Sequence, residues 1–254
     1  MSELRVTDLS FAYANDEQVL RGVNLHCESG SFSSLLGASG CGKSTLLRLL
    51  AGLAKPDSGE LSVPDDEVSF IFQRPTLCPW MTVRKNIALP SKLRGVPAAE
   101  RLAAAKESIE LVGLTQRDGD KLPHQLSGGM QMRVSLARAL TTRPRIMLMD
   151  EPFSALDEVL RQQLAEKCLD LWNRQKWTTL FVTHNVHDAV FMSQKIHIIA
   201  GSPARIVDTI DVKLGTRNEN LRTSAVFLEL VAHVGKQLRI AVDASQNGSA
   251  ESIA

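Results

Sequence analysis

The chain has 254 residues, 44% of them hydrophobic, which suffices for one large or two modest domains with a buried core. Its 29 basic and 28 acidic residues leave a net charge of +1, which argues against a protein held to nucleic acid by bulk charge, and no nucleic-acid partner is expected. No apolar stretch approaches the ~18 residues that span a bilayer, no apolar signal core follows the N-terminus, and Cys27, Cys41, Cys78 and Cys168 lack C-x-x-C spacing, so a cytosolic chain with reduced thiols is expected rather than a disulfide framework or zinc site.

In chain order, Leu4, Val6, Leu9 and Phe11, then Val19, Val23 and Leu25, alternate as antiparallel strands do. An apolar run at 32–36 suits a strand. It leads into Gly37-Ala38-Ser39-Gly40-Cys41-Gly42-Lys43-Ser44-Thr45 and a helical run at 46–51. Strand, glycine loop and helix is the context that gives G-x-x-x-x-G-K-[ST] its meaning. Glycines let the backbone wrap a polyphosphate, because a Cβ would block the approach. The loop N–H groups and the helix start supply partial positive charge. Lys43 can reach the β- and γ-phosphates, and the Ser44 hydroxyl can ligate Mg²⁺.

Short apolar runs return at 68–72, 146–149, 180–183 and 196–200, each the length of a buried strand, with helical segments between them. That pattern predicts a largely parallel sheet with helices on its faces. From about Thr82 to Leu140 no strand is expected. There Leu102, Ala105, Ile109 and Val112 share a helical face, with Pro97 before it and Gly113 after it. The stripe Leu156, Leu160, Leu164, Cys168 and Leu171 reads as a core face. A helix is predicted over 221–234 and a frayed polar tail over 243–254.

Two further segments carry chemistry. The strand at 146–149 ends in Asp150-Glu151, where α/β sheets bind ligands. Asp150 would hold Mg²⁺, and Glu151 would orient and deprotonate an attacking water. Leu126-Ser127-Gly128-Gly129-Met130-Gln131 opens a helix and offers a second anion site, although Ser127 also fits a plain helix cap.

Taken together, these motifs make the chain resemble the ATP-binding subunit of an ABC transporter. Residues 37–45 match the Walker A motif, 146–151 Walker B, and 126–131 the ABC signature. Gln73 sits at the Q-loop, 154–157 at the D-loop, His184 at the switch histidine, and Tyr13 where the family stacks an aromatic ring on adenine. From the residues alone Gln73 also fits a surface polar group, Tyr13 an edge-strand packing residue with Phe11 as rival stacker, and His184 a capping histidine. Asn185, Leu160 and Pro75 depart from the family pattern. The segment 76–83, Thr-Leu-Cys-Pro-Trp-Met-Thr-Val, is similar to that of importers for nitrate, sulfonates and taurine.

The resemblance implies an α/β P-loop NTPase cassette with a parallel core sheet. Residues 1–75 and 141–210 would form the nucleotide-binding core with an antiparallel β subdomain, 76–140 an inserted helical subdomain, and 211–254 a C-terminal helix and tail. It implies Mg-ATP held between two head-to-tail copies, with Ser127, Gly128 and Gly129 of one closing over the nucleotide of the other. Gln73 would join Ser44 and Asp150 at the metal and would serve, with Lys43, Glu151 and His184, in catalysis. Partners would be membrane permease subunits, met through the Trp80 region, and a periplasmic solute-binding protein, with the cassette peripheral on the cytoplasmic face of the cell membrane. The alternatives are import of another small nutrient (a pyrimidine precursor or flavin) or a non-transport ATPase. Only 80 residues separate Thr45 from Leu126, which leaves no room for the long coiled coil of DNA-repair relatives. No N-K-x-D guanine motif is present.

Overall fold

The structure is a computed structural model. It describes residues 2–13, 17–64, 68–154 and 156–251, with backbone alone at Glu219 and over 246–251. Ala155 of the 154–157 stretch and residues 252–254 of the expected tail lie outside the described residues.

Nine strands form one sheet in the order β4-β1-β2-β9-β8-β3-β7-β6-β5. At its centre β3 (Phe32–Leu36), β7 (Thr178–Thr183), β6 (Ile146–Asp150) and β5 (Val68–Ile71) run parallel, with β8 (Lys195–Gly201) parallel to β3 on the other side. β1 (Leu4–Ala12) pairs antiparallel with both β2 (Gln18–Cys27) and β4 (Ser58–Ser62). β9 (Ala204–Asp211) pairs antiparallel with β8 and touches β2 at the Leu20–Ala204 register.

The central strands are hydrophobic throughout because both faces are covered. Alternate residues serve opposite cores. Met147, Met149 and Phe181 join a cluster with Phe32, Ile87, Ile109, Met132, Leu164 and Phe191. Ile146, Leu148, Leu180 and Val182 join another with Leu9, Leu25, Leu46 and Leu50. One residue of slip would exchange the two sets, so the packing pins the register.

α1 (Lys43–Leu50) follows β3. Residues 82–140 contain no strand and carry α2 (Val83–Leu93), α3 (Ala98–Leu111) and α4 (Gly128–Leu140), whose buried faces pack on one another and on the first cluster. α5 (Glu158–Gln175) buries Leu164, Cys168 and Leu171, the stripe expected of a core face. α6 (Val186–Met192) follows β7.

The structure corrects the sequence reading at three places. β4 was not expected, since Ser58-Gly-Glu-Leu-Ser has no apolar alternation; it forms as an exposed edge because β1 offers it a ladder. β9 was missed because Val207 interrupts its polar outer face. The C-terminal helix, α7 (Ala225–Glu251), extends well beyond Val234 into the segment expected to fray. Leu230, Val234, Leu238 and Ala241 form a continuous stripe against the first cluster, and burial of that stripe holds the helix on.

Candidate functional site

The loop 37–42 leaves β3 at its C-terminal end and feeds α1. Gly40 and Gly42 take φ of +80° and +99°, left-handed values that L side chains rarely adopt. A Cβ on Gly37 would stand 2.5 Å from the Ile199 carbonyl oxygen, whereas nothing lies within 4 Å of one on Gly40. The loop is therefore closed behind and open in front. Gly42 caps α1 without a side-chain hydrogen bond, and no acidic residue occupies the first turn. The helix start thus presents free N–H groups to the cleft.

Tyr13, Glu17, Val19, Ser39, Gly40, Gly42, Lys43, Ser44, Thr45, Gln73 and Glu151 line a cleft of ≈ 360 Å³. Lys43 is almost wholly buried; its Nζ donates to the carbonyls of Gly37 at 2.9 Å and Ala38 at 2.7 Å. Ser44 Oγ donates to Asp150 Oδ1 at 3.0 Å, joining loop to strand β6 across 106 residues of sequence. Burial pushes the Asp150 carboxyl above its usual range. The Ser44 hydrogen bond opposes that rise and the neighbouring Glu151 charge reinforces it. A hydroxyl beside a carboxylate, with few other protein oxygens, fits Mg²⁺, which keeps several waters and takes further ligands from substrate phosphates.

Glu151 takes φ of +44°, a strained value for a residue with a Cβ, and its N–H donates to the Val182 carbonyl at 3.0 Å. That backbone turn aims its carboxylate into the cleft. Oε1 lies 3.6 Å from Lys43 Nζ, and Oε2 accepts from His184 Nδ1 at 2.9 Å. One carboxylate thus bridges the Lys43 ammonium and the His184 ring at the ends of three parallel strands. His184 is half exposed, and it is Asn185, through the Asp188 N–H, that caps α6. Gln73 Nε2 reaches Ser154 Oγ at 3.5 Å, and Ser154 Oγ donates to the Glu151 carbonyl.

Tyr13 is exposed at the cleft mouth. It packs edge-on against Phe11, and its hydroxyl shares a 3.1 Å hydrogen bond with Thr45 Oγ1. Cys41 belongs to the loop by backbone only. Its thiol faces away from the cleft into a separate cavity of ≈ 340 Å³ shared with Ala38, Ile199–Ser202, Val242 and Ser245, and burial raises its pKa.

The signature turn stands apart. Ser127, Gly128 and Gly129 do not line the cleft; Ser127 caps α4 by accepting the Met130 N–H, and Ser127 and Gly128 are exposed while Gly129 is buried. Trp80 is 75% exposed, so it does not pack inside the helical segment.

Sequence reasoning missed the residues that hold the 75–82 segment in place. Asn86, wholly buried, accepts the Cys78 N–H and donates to the carbonyls of Cys78, Met81 and Thr82. Arg138 of α4 donates to the carbonyls of Pro75 and Thr76. No short motif marks either residue.

Comparison with known proteins places this geometry in context. The family model described as "ABC transporter" matches residues 20–154. The chain is 40% identical over 237 residues to an uncharacterised ABC transporter ATP-binding protein of Methanocaldococcus jannaschii, covering 89% of this chain and 88% of that one. It is 38% identical over 221 residues to the nitrate import ATP-binding protein NrtD of Synechocystis sp., covering 83% of each. It is 44% identical over 198 residues to the bicarbonate transport ATP-binding protein CmpC of Synechococcus elongatus, covering 74% of this chain and 30% of the relative. Among solved structures, a dimeric ATP-binding cassette in a post-hydrolysis state with ADP and Pi superposes with a TM-score of 0.73 at 28% identity, covering 84% of this chain and all of that one.

Proposed function

The chain belongs to the ABC transporter family as an ATP-hydrolysing cassette, and from that premise we propose that it drives import of a small anion or organic solute through membrane permease subunits. Its relatives include a nitrate import and a bicarbonate transport ATP-binding protein, which supports a solute of that size and charge. We propose that the cassette works as a head-to-tail pair on the cytoplasmic face of the membrane, and that a solute-binding protein delivers the cargo.

One observation carries the reading of the site. Lys43, Ser44, Asp150, Glu151 and His184, drawn from three separate segments, converge on one open cleft, while Ser127 and Gly128 are exposed away from it. A half-site with exposed donors fits a second chain.

In the mechanism proposed, the loop N–H groups and Lys43 bind the β- and γ-phosphates, and the exposed ring of Tyr13 receives the adenine. Ser44, Asp150 and Gln73 would hold Mg²⁺, which when bound offsets phosphate charge at the transition state. The Glu151 carboxylate lies beside Lys43 and His184, where the γ-phosphate would sit. The γ-phosphate takes over the Lys43 ammonium and the His184 ring, and Glu151 orients a water and holds its proton. Ser127, Gly128 and Gly129 of the second copy complete the donor set. Hydrolysis removes the bridging charge and the copies part, a switch driven by γ-phosphate contacts. The motion reaches the permease through residues 73–83, where Trp80 is the exposed anchor.

The test is Glu151→Gln in the purified chain. Turnover should stop while ATP binding persists, and Mg-ATP should convert the protein to a dimer by light scattering; Lys43→Ala should abolish both responses. Turnover near that of the unsubstituted chain in Glu151→Gln would refute the role of Glu151 as base.

A further inference from the structure

We propose that Leu160 is a positioning residue for the signature turn of its own chain, and that a side chain at position 129 would displace it, because Leu160 lies in the space that side chain would enter. The inference rests on the reading of 127–129 as the half-site offered to a second copy, and it adds what sets the position of that half-site.

Adjacent glycines of the turn stand in opposite surroundings. Nothing lies within 4 Å of a Cβ built on Gly128. A Cβ on Gly129 would run into Leu160 Cδ2 and would stand 3.1 Å from Cγ and 3.5 Å from Cδ1. Gly129 is buried while Ser127 and Gly128 are exposed. The turn therefore shows its serine and first glycine outward and rests its second glycine on Leu160.

Leu160 is itself held. It lies in the first turn of α5, where its N–H donates to Asp157 Oδ1 at 3.0 Å, and its side chain packs against the larger hydrophobic cluster. The starts of α4 and α5 thus abut through one leucine on one glycine. Any shift of the Asp157 segment presses directly on the turn that carries Ser127. Leu160 is half-buried, so the shift passes through its contact with Gly129. Leu160, one of the departures from the family pattern, is wholly apolar and lies against the glycine backbone.

The experiment compares Mg-ATP turnover of the full chain with its Leu160→Ala, Gly129→Ala and double variants, alongside melting temperature and binding of a fluorescent ATP analogue. Leu160→Ala should lower kcat about threefold and Gly129→Ala at least about thirtyfold, both with KM nearly unchanged. The double variant should return to about the Leu160→Ala level, since removing the leucine makes room for the new methyl. A double variant as slow as Gly129→Ala, though it binds nucleotide and melts like Leu160→Ala, would overturn the proposal. Should Gly129→Ala fail to fold, recovery of folding and turnover in the double variant supports the proposal, and its failure to fold beside a folded Leu160→Ala overturns it. A Glu151→Gln chain that stays monomeric in Mg-ATP would instead refute the paired half-sites, whatever these variants do.

Discussion

Replacing Asn86 with alanine should loosen the segment that carries Trp80 while leaving the cleft intact. Asn86 is fully buried and forms hydrogen bonds to Cys78 N–H at 2.7 Å, Met81 O at 2.9 Å and Cys78 O at 3.1 Å, with a further contact to Thr82 O at 3.2 Å. Thr82 O already accepts the Asn86 backbone N–H, so its loss counts for little. The three remaining bonds, at about 1 kcal/mol net each, put the loss of stability near 3 kcal/mol. In urea this lowers the unfolding midpoint by about 1 M, read by fluorescence of the buried Trp172 and Trp177. Asn86→Asp should cost more than alanine, because a carboxylate would face three carbonyl oxygens. ATP binding should persist, since no atom of Asn86 lines the cleft, and Cys78 should react faster with thiol reagents. A loss below about 1 kcal/mol in Asn86→Ala would refute the reasoning, because a buried amide with three such bonds cannot be that cheap to remove.

Asp150→Asn should melt at a higher temperature than the unsubstituted chain at pH 7–8 and lose turnover by at least about a hundredfold. The folded-state pKa of Asp150 is raised by burial. Its favourable contribution is present at low pH and is lost as pH rises through that pKa, so the gain from asparagine should vanish below about pH 4. A variant that melts lower at pH 8 would contradict this sign. Thiol labelling of the folded chain should modify Cys78 first and Cys41 slowly, with Cys27 and Cys168, pushed up to about 12 by burial, reacting only after unfolding. A label on Cys41 fills the cavity behind the phosphate loop and should slow turnover by distorting the loop, without blocking the cleft directly. Rapid labelling of Cys41 with unchanged turnover would contradict that geometry.

The amino-acid sequence by itself determined the features written in consecutive residues. The glycine loop before Lys43, the apolar strand ending in Asp150-Glu151 and the Ser127-Gly128 turn depend on backbone freedom and short-range periodicity, which a sequence displays openly. The central parallel strands were equally legible, since burial on both faces demands unbroken apolar runs. Only the tertiary structure decided what depends on distant residues meeting: that Glu151 bridges Lys43 and His184, that Ser44 meets Asp150, that Asn86 pins the Trp80 segment, that Cys41 turns its back on the cleft, and that Leu160 underlies Gly129. It also decided that β4 and the distal turns of α7 form at all, because each is held by partners far along the chain rather than by its own pattern. The physical reason is common to all of these: a periodicity records which side of an element is apolar, but the partner on that side is chosen by packing.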